Sequence, residues 1–349
     1  MEDGNLYVGG GDGNWYVLNA TTGAVEWKVP VGNPADGYYN WASPLLYDGS
    51  AYIGVSSFCD HPLVPGGLLQ VNLSTHLVQH RFNTTTFGVL GSSVWGSPSV
   101  DAATNTVYFA TGNNYPHEAG EFSDSVVAVN ASNVSNLVSS WTIPAAQQVP
   151  DGDFGSSATL FETSTGTAMM GALDKNGYFY AFNAADLAAG PVWDYKVTTG
   201  QSVGSAAFAQ GLVFVAAGTA DYHGVRSAGA AWAFNPDNGA VVWEQPLWGK
   251  SVSAPAYANG FVLVDGGHHV FVLNATTGAK LKELACHSTF YSPPAIAHGR
   301  IFVGCTSGQE FAFGLTGADG PVAAEGALAP SERTGALAPG TAVGLVRWL

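Results

Sequence analysis

An apolar residue followed by an asparagine that opens a turn recurs six times along this chain. The pairs are Leu18-Asn19, Val71-Asn72, Val129-Asn130, Phe182-Asn183, Phe234-Asn235 and Leu273-Asn274. Successive asparagines are separated by 53, 58, 53, 52 and 39 residues. A period of this length is typical of a solenoid, a propeller or an array of repeated units. The repeat therefore constrains the fold more strongly than any single motif.

The shortest repeat shows the order of its strands most clearly. A short apolar segment ends in a turn at Asn259-Gly260, and the run 261–264 that follows is broken at 265–267. Residues 270–273 form the next predicted strand, and the turn 274–278 leads into a fourth, because Asn bonds its own backbone and Gly accepts positive φ. We name these strands A to D. Four short strands joined by such turns predict an antiparallel meander.

A single four-stranded sheet cannot bury both of its faces, so neighbouring repeats must pack together. Radial packing of four-stranded units is a β-propeller. Four tryptophans close D strands and are predicted to pack between blades, each burying roughly 150–250 Å². They are Trp27, Trp141, Trp193 and Trp243. The sequence therefore predicts an all-β propeller of four-stranded antiparallel blades.

The strand count predicts about seven blades over residues 1–315. The first repeat begins at its strand B (5–8) and the seventh ends at its strand C (310–313), so an eighth blade is expected if an N-terminal part is missing. Residues 316–349 are rich in Gly, Ala and Pro and are predicted to form a flexible tether. The last residues, 343–349, resemble a D strand that would complete blade 7.

Composition narrows the classes of partner. The net charge is −15 and only 11% of residues are charged, which disfavours nucleic acid. No apolar run reaches the ~18 residues that a membrane span requires, and no signal peptide is visible at the N-terminus. Few lysines and many Tyr, Trp and Thr residues in a propeller favour an extracytoplasmic location, either periplasmic or secreted.

The long insertions share one face of the predicted ring. They fall in B–C turns at 56–67, 112–124 and 218–229, and in a meander these turns lie on the same face as the D–A connections. Elaborated loops on a rigid scaffold usually carry binding or catalysis. We call this the B–C/D–A face. A column of residues precedes the A strands there, and it either stacks on a flat ligand or fills the channel: Trp41, Trp95, Phe154, Val203, Val252 and Tyr291.

One stretch on that face resembles a known family. Residues 91–101, which contain Trp95, and 107–116, which contain Asn113, are similar to the corresponding stretch of quinoprotein alcohol dehydrogenases, polyvinyl-alcohol dehydrogenases among them. These PQQ-like repeat propellers use pyrroloquinoline quinone (PQQ) and calcium. The resemblance implies that Trp95 is the floor on which PQQ stacks and that Asn113 is a calcium ligand.

Further roles follow from the resemblance residue by residue. Asp153 matches the catalytic aspartate, which acts as general base and lies at the metal. Lys175 matches a basic residue that contacts the quinone oxygens, and Ser56 matches a serine that hydrogen-bonds the cofactor. The expected metal-ligating glutamate is Cys59 here, a poor calcium ligand, so Asp60 would have to substitute for it.

Other departures from the family are also present. The vicinal cysteine pair that covers PQQ in methanol dehydrogenase is absent, and the family has eight blades where this chain predicts seven. Gly155 stands where lanthanide-type enzymes carry an additional aspartate, which argues against a lanthanide site. Cys286 and Cys305 belong to neighbouring blades and are predicted to form a disulfide in an oxidising compartment; a three-cysteine metal site with Cys59 is the alternative.

Two functions from different classes remain open on the sequence. The first is a PQQ- and calcium-dependent alcohol dehydrogenase that oxidises a small or polymeric alcohol and passes electrons to an acceptor the sequence does not identify. The second is a non-catalytic propeller whose insertion-rich face binds protein or carbohydrate. A propeller without cofactor shares every feature except the set Trp95, Asn113, Asp153 and Lys175.

Overall fold

The computed structural model describes residues 4–114, 122–200, 202–222 and 225–314, in which consecutive strands form seven antiparallel sheets. Blade 1 contains β1 (Asn5–Gly9), β2 (Asn14–Asn19) and β3 (Val25–Pro30). Blade 2 contains β4 (Tyr38–Tyr39), β5 (Leu45–Tyr47), β6 (Ser50–Ser57), β7 (Gly67–Asn72) and β8 (Leu77–Asn83). Blade 3 contains β9 (Ser99–Asp101), β10 (Thr106–Ala110), β11 (Ser125–Asn130) and β12 (Asn133–Thr142).

The remaining blades repeat the meander. Blade 4 contains β13 (Thr159–Glu162), β14 (Ala168–Leu173), β15 (Tyr178–Asn183) and β16 (Pro191–Lys196). Blade 5 contains β17 (Ala207–Ala209), β18 (Leu212–Tyr222), β19 (Val225–Phe234) and β20 (Val241–Leu247). Blade 6 contains β21 (Ala256–Ala258), β22 (Phe261–Gly266), β23 (His269–Asn274) and β24 (Lys280–Ala285). Blade 7 contains β25 (Ala295–Ala297), β26 (Arg300–Gly304) and β27 (Glu310–Gly314).

The all-β fold and the seven-blade count are confirmed in the described residues. Blade 1 provides strands B to D and blade 7 provides strands A to C, as the repeat predicts. The predicted tail at 316–349, with its closing strand, lies outside the described residues, so this division of the chain remains a prediction. Three single-turn 3₁₀ helices occur in connections, at Pro34–Asp36, Ala145–Gln147 and Leu187–Ala189. No helix among the described residues has the length and apolar character needed to cross a membrane.

The repeated asparagine acts by capping the C–D turn. In all six repeats its side-chain Oδ1 accepts a hydrogen bond from the backbone N–H two residues later, at 2.8–3.0 Å. In four of the turns a second N–H, three residues later, also donates to it. This side-chain bond replaces the backbone partner that a tight turn lacks. The sequence period is therefore the period of one local hydrogen-bonded turn.

Adjacent blades are held together by apolar clusters that each span two successive sheets. β18 shows how: Val213 and Val215 pack towards blade 4, while Phe214 and Ala216 pack towards blade 6. Side chains alternate between the two faces of a strand, so a strand buried on both faces must be apolar throughout. The central strands of the blades accordingly read as continuous apolar runs.

The predicted role of the D-strand tryptophans is confirmed by their contacts. Trp193 packs in the core between blades 4 and 5, and its indole N–H donates to the carbonyl of Pro236 at 2.9 Å. Trp243 repeats this one blade later with the carbonyl of Ala275 at 2.7 Å. A Cβ at Gly278 would lie 2.7 Å from the Trp243 ring, so the next blade's turn needs glycine there. Trp27 packs against the equivalent cluster between blades 1 and 2, and Trp141 against that between blades 3 and 4.

A row of serines joins the A strands around the inner side of the ring. The backbone N–H of Ser43 donates to Ser97 Oγ at 3.0 Å, Ser97 N–H donates to Ser157 Oγ at 3.0 Å, and Ser157 N–H donates to Ser205 Oγ at 2.9 Å. Each bond crosses from one blade to the next, so these four positions are structurally equivalent. We call this row the serine ladder.

The serine ladder corrects the predicted aromatic column. Trp41, Trp95 and Val203 each lie two residues before a ladder serine, and the blade 4 residue at that level is Gly155, not Phe154. Phe154 is fully buried in the apolar cluster between blades 3 and 4. The column therefore has a gap at blade 4, because the D–A connection there is offset by one residue.

The insertion predicted at 218–229 is largely an extension of two strands and not a loop. β18 and β19 continue pairing beyond the other blades, with Gly218 opposite Gly229 and Asp221 opposite Arg226. The residues His117 and His223, which the sequence places in long insertions, lie outside the described residues.

Blades 6 and 7 are cross-linked by the predicted disulfide between Cys286 and Cys305. Cys286 lies in the D–A connection after β24, and Cys305 follows β26. Cys59 is a free, exposed cysteine, so the three cysteines do not form a common metal site.

We expect the double variant Cys286→Ser/Cys305→Ser to lose about 3 kcal/mol of unfolding free energy, because the cross-link closes a 19-residue separation and restricts the unfolded chain. Urea unfolding of the parent with and without reductant measures it. Cys59→Ser is the matched control and should unfold as the parent does. Equal midpoints for the parent and the double variant under oxidising conditions would contradict the expectation.

Candidate active site

On the B–C/D–A face, polar residues come together where the connection between blades 3 and 4 crosses the ends of two B strands. Asp153 forms an antiparallel bridge with Gly112, which follows β10, and Phe154 forms one with Asp174, which follows β14. The N–H of Lys175 also donates to the Asp153 carbonyl at 2.9 Å. Residues far apart in sequence are thereby fixed next to Asp153 by backbone hydrogen bonds.

Both side-chain oxygens of Asp153 accept hydrogen bonds from N–H donors. Oδ1 accepts from the backbone N–H of Asn113 at 2.8 Å, and Oδ2 accepts from the Lys175 ammonium. The carboxyl group is buried, with 6% of the residue exposed. Burial raises the pKa of Asp153 to about 6, although Lys175 and the Asn113 N–H oppose this shift. The carboxylate is therefore mostly ionised at neutral pH and remains basic.

Lys175 connects three elements of the site. Its ammonium lies 3.1 Å from Asp151 Oδ1, bonds Asp153, and sits 5.6 Å from the centroid of the Trp95 ring. Burial lowers the pKa of Lys175, but the charges of Asp153 and Asp151 outweigh this and raise it. Lys175 is therefore a fixed positive charge over the face of a half-buried tryptophan.

Two further buried carboxyl groups were missed by sequence reasoning. Burial and the nearby carboxylates raise the pKa of Asp124 to about 8 and that of Asp174 to about 7. Asp124 Oδ1 and Asp174 Oδ2 have no hydrogen-bond partner among the described residues. The sequence could have pointed to both aspartates by their position alone, because each lies in a B–C turn on the predicted face. Three carboxyls with raised pKa in one place are typical of a functional site.

Two glycines make room for this arrangement. A Cβ at Gly112 would lie 2.0 Å from Asp153 Oδ1, and a Cβ at Gly155 would lie 2.7 Å from the Trp95 ring. The second contact explains the sequence departure at Gly155, because an aspartate there would collide with Trp95 and with Val203. Trp95, Lys175 and Asp153 thus pack as one unit.

The other predicted site residues divide into one that joins this unit and one that does not. Asp60 lies near it: burial raises the pKa of Asp60, the charge of Asp151 raises it further, and that of Lys175 lowers it. Ser56 is fully buried, and its hydroxyl donates to the Tyr39 carbonyl at 2.8 Å. Ser56 is therefore committed to holding β4, and no described bond joins it to Asp153.

Of the predicted calcium ligands, Asp153 is hydrogen-bonded to Asn113 and to Lys175 in the structure. The Asn113 contact to Asp153 comes from the backbone N–H, and both Asp153 oxygens are already bonded. Among the residues that the structure describes, no group of three His, Cys, Asp or Glu side chains is arranged to hold a metal ion. A hard cation needs six to eight oxygen ligands. The ligand set Asn113, Asp153 and Asp60 therefore remains a prediction from the resemblance.

Two clefts lie on the opposite face, among the A–B and C–D turns. One, of about 310 Å³, extends over blades 3, 4 and 5 and is lined by Val100, Phe161 and Phe208. The other, of about 400 Å³, lies between blades 1 and 2 beside Trp27 and His76. Neither is lined by residues of the Asp153 cluster.

The chain is similar in sequence and fold to β-propellers that are built from PQQ-like repeats. Residues 227–323 match the family model described as outer membrane protein assembly factor BamB. Polyvinylalcohol dehydrogenase of Sphingopyxis sp. (strain 113P3) is 23% identical over 346 residues, covering 85% of this chain and 48% of that protein. The chain thus spans about half the length of this curated relative.

Solved structures show the same fold. Quinohemoprotein alcohol dehydrogenase ADHIIG from Pseudomonas putida HK5 superposes with a TM-score of 0.67 at 18% identity, covering 86% of this chain and 60% of that one. A europium-containing methanol dehydrogenase gives 0.67 at 16% identity, with 89% and 71% covered. BamB from Moraxella catarrhalis gives 0.59 at 15%, with 90% and 80% covered. The predicted resemblance to the PQQ-like propeller repeat family is confirmed.

Proposed function

We propose that this chain is a quinoprotein of the alcohol dehydrogenase type, which binds PQQ at Trp95 and oxidises an alcohol. The observation that carries the proposal is the buried Asp153–Lys175 pair beside the Trp95 ring. The same residues would be costly in a purely structural role, since a buried carboxylate is stable only when it is paired.

The side chains present fit the cofactor. The Trp95 ring offers an aromatic face with a cation held above it, and PQQ is a planar anion. Trp95 would hold the quinone by stacking and Lys175 by charge. PQQ, when bound, supplies the two-electron acceptor that alcohol oxidation requires.

The residues of the chain would handle the proton and the charge. Asp153, with a pKa of about 6, takes the hydroxyl proton of the alcohol as general base. Lys175 keeps Asp153 ionised and stabilises negative charge that develops over the Trp95 ring. The Asn113 N–H fixes the carboxylate orientation. Asn113, Asp153 and Asp60 would hold the calcium ion that the resemblance implies, and calcium would polarise the quinone carbonyl as a Lewis acid.

The proposal includes the substrate and the cellular location. The substrate is a small or polymeric alcohol, and the polyvinylalcohol dehydrogenase relative supports the polymeric choice. The location is extracytoplasmic, which the Cys286–Cys305 disulfide supports, because such bonds persist in oxidising compartments.

A titration with PQQ tests the proposal. We expect quenching of tryptophan fluorescence on binding and reduction of a dye when a primary alcohol is added. Trp95→Ala should abolish both signals, since it removes the stacking surface. Trp248→Ala is the matched control: Trp248 is 62% exposed, lies in another D–A connection and should not affect either signal. A parent protein that neither binds PQQ nor differs from Trp95→Ala would refute the enzyme.

The second candidate is a non-catalytic scaffold. The match of residues 227–323 to the BamB model and the two clefts on the opposite face favour it. It predicts that PQQ does not bind and that the Asp153–Lys175 pair can be replaced without loss of partner binding.

A further inference from the structure

Three aromatic side chains form an exposed cluster on the B–C/D–A face of blade 2. Trp41 and Phe58 are 48% and 49% exposed, and their rings are parallel within 6° with centroids 6.1 Å apart. Tyr39 contacts both, at 4.5 Å from Trp41 and 5.1 Å from Phe58. We call these three residues the aromatic platform. Contiguous exposed apolar groups of this kind usually mark a binding site.

The platform is held rigidly. The Trp41 indole N–H donates to the Ser57 carbonyl at 3.0 Å, so the polar edge of the ring is satisfied while the ring remains exposed. The Phe58 backbone N–H donates to the Gly37 carbonyl at 2.8 Å. Tyr39 is anchored by pairing of β4 with β6. Binding of a ligand would therefore cost little conformational entropy in these rings, which favours affinity.

The platform lies next to the candidate active site. Trp41 and Trp95 each precede a ladder serine by two residues, and the Ser43–Ser97 bond joins those serines directly. The two tryptophans therefore stand at the same level of adjacent blades. On its other side the platform continues from Phe58 to Asp60, which lies within reach of the charges of Asp151 and Lys175.

We propose that the aromatic platform binds a neutral polymeric alcohol chain and holds it so that one of its hydroxyls reaches Asp153. The inference rests on the proposed function in treating the chain as a substrate. The apolar backbone of such a polymer packs against Trp41 and Phe58, and its hydroxyls can donate to the carboxylates of Asp60 and Asp153. The net charge of −15 disfavours an anionic polymer, including single-stranded nucleic acid. Contacts remote from the reacting hydroxyl contribute binding to the polymer and none to a small alcohol.

Affinity electrophoresis in gels that contain polyvinyl alcohol tests the platform without any cofactor. We expect the parent to be retarded and Trp41→Ala/Phe58→Ala to lose the retardation, with at least a tenfold weaker apparent affinity. Trp248→Ala and Tyr291→Ala are matched controls, because both residues are exposed aromatics outside the platform. Trp41→Phe with Phe58→Tyr keeps two rings and should retain most of the affinity, and thermal unfolding of each variant shows that it is folded.

Kinetics separate this inference from the proposed function. With PQQ bound, the platform variant should raise KM for polyvinyl alcohol about tenfold and leave kcat and the oxidation of a small alcohol unchanged. If PQQ does not bind but polymer retardation still depends on the platform, the proposed function fails and the binding site stands. Equal retardation of parent and platform variant would overturn the inference. Retention by dextran gels in place of polyvinyl alcohol gels would overturn it also, by assigning the platform to glucans.

Discussion

Replacing Asp153 by asparagine is expected to lower kcat for a primary alcohol by about 10²–10⁴-fold. The variant keeps the shape of the side chain and its contact with the Asn113 N–H, but it cannot accept the hydroxyl proton. It also leaves Lys175 without its buried counter-charge. Steady-state dye reduction measures the rate, and fluorescence titration shows whether PQQ still binds.

Asp151→Asn is the matched control for this experiment. Asp151 is the other carboxylate bonded to Lys175, but its side chain is 54% exposed, and exposed ion pairs contribute little. We expect less than about a fivefold effect on kcat. An Asp153→Asn variant that binds PQQ and turns over at the parent rate would remove Asp153 from the reaction.

The stability of the parent is expected to fall as pH rises from about 4 to about 8, and Asp124→Asn should remove much of that loss. The folded-state pKa of Asp124 is about 8, above the ordinary 3.8, so the folded protein holds this proton more tightly than the unfolded chain. That contribution to stability is complete below pH 4 and is lost as pH rises through 8. Asp174 and Asp153 contribute to the remaining slope, together with Asp60 and Asp265, because the pKa of each is raised.

At pH 8 to 9 the Asp124→Asn variant should be more stable than the parent by up to about 5 kcal/mol, and near pH 4 the two should be similar. Urea unfolding at both pH values measures this. Asp48→Asn is a close control, because Asp48 is exposed and has nearly the same backbone φ, 46° against 45° at Asp124. A parent whose stability does not change over this range would show that Asp124 is not a buried carboxyl.

A stabilising substitution at Asp124 would also inform function. Groups that destabilise the fold where they stand are usually retained for what they do there. If Asp124→Asn gains stability and loses PQQ binding, the buried carboxyls belong to the cofactor site. If it gains stability with PQQ binding unchanged, Asp124 lies outside that site.

Much of the fold could be predicted because the turns of each repeat are formed by residues close together in sequence. The turn asparagines bond backbone N–H groups two and three residues away, so their effect is contained in a few consecutive residues. Trp193 and Trp243 follow their turn asparagines by ten and eight residues and meet the next repeat in the same way. The site residues Trp95, Asp153 and Lys175 were placed on one face by topology, and the structure brings them into contact.

The remaining features depend on contacts between blades, which no local pattern specifies. Gly155, and not Phe154, stands level with Trp95, because the serine ladder sets the register of the connection. The predicted loop at 218–229 is a continued strand pair, since cross-strand bonds extend past the ends of the other blades.

The sequence by itself determined the all-β class, the number of blades in the described residues and the face on which the candidate site residues lie. These follow from the period of the asparagine turns and from strand order, both of which are local. Only the tertiary structure decided that Asp124 and Asp174 join Asp153 and that Trp41 meets Phe58. Burial and charge proximity across blades set the pKa of a carboxyl and the exposure of a ring, and both depend on three-dimensional packing.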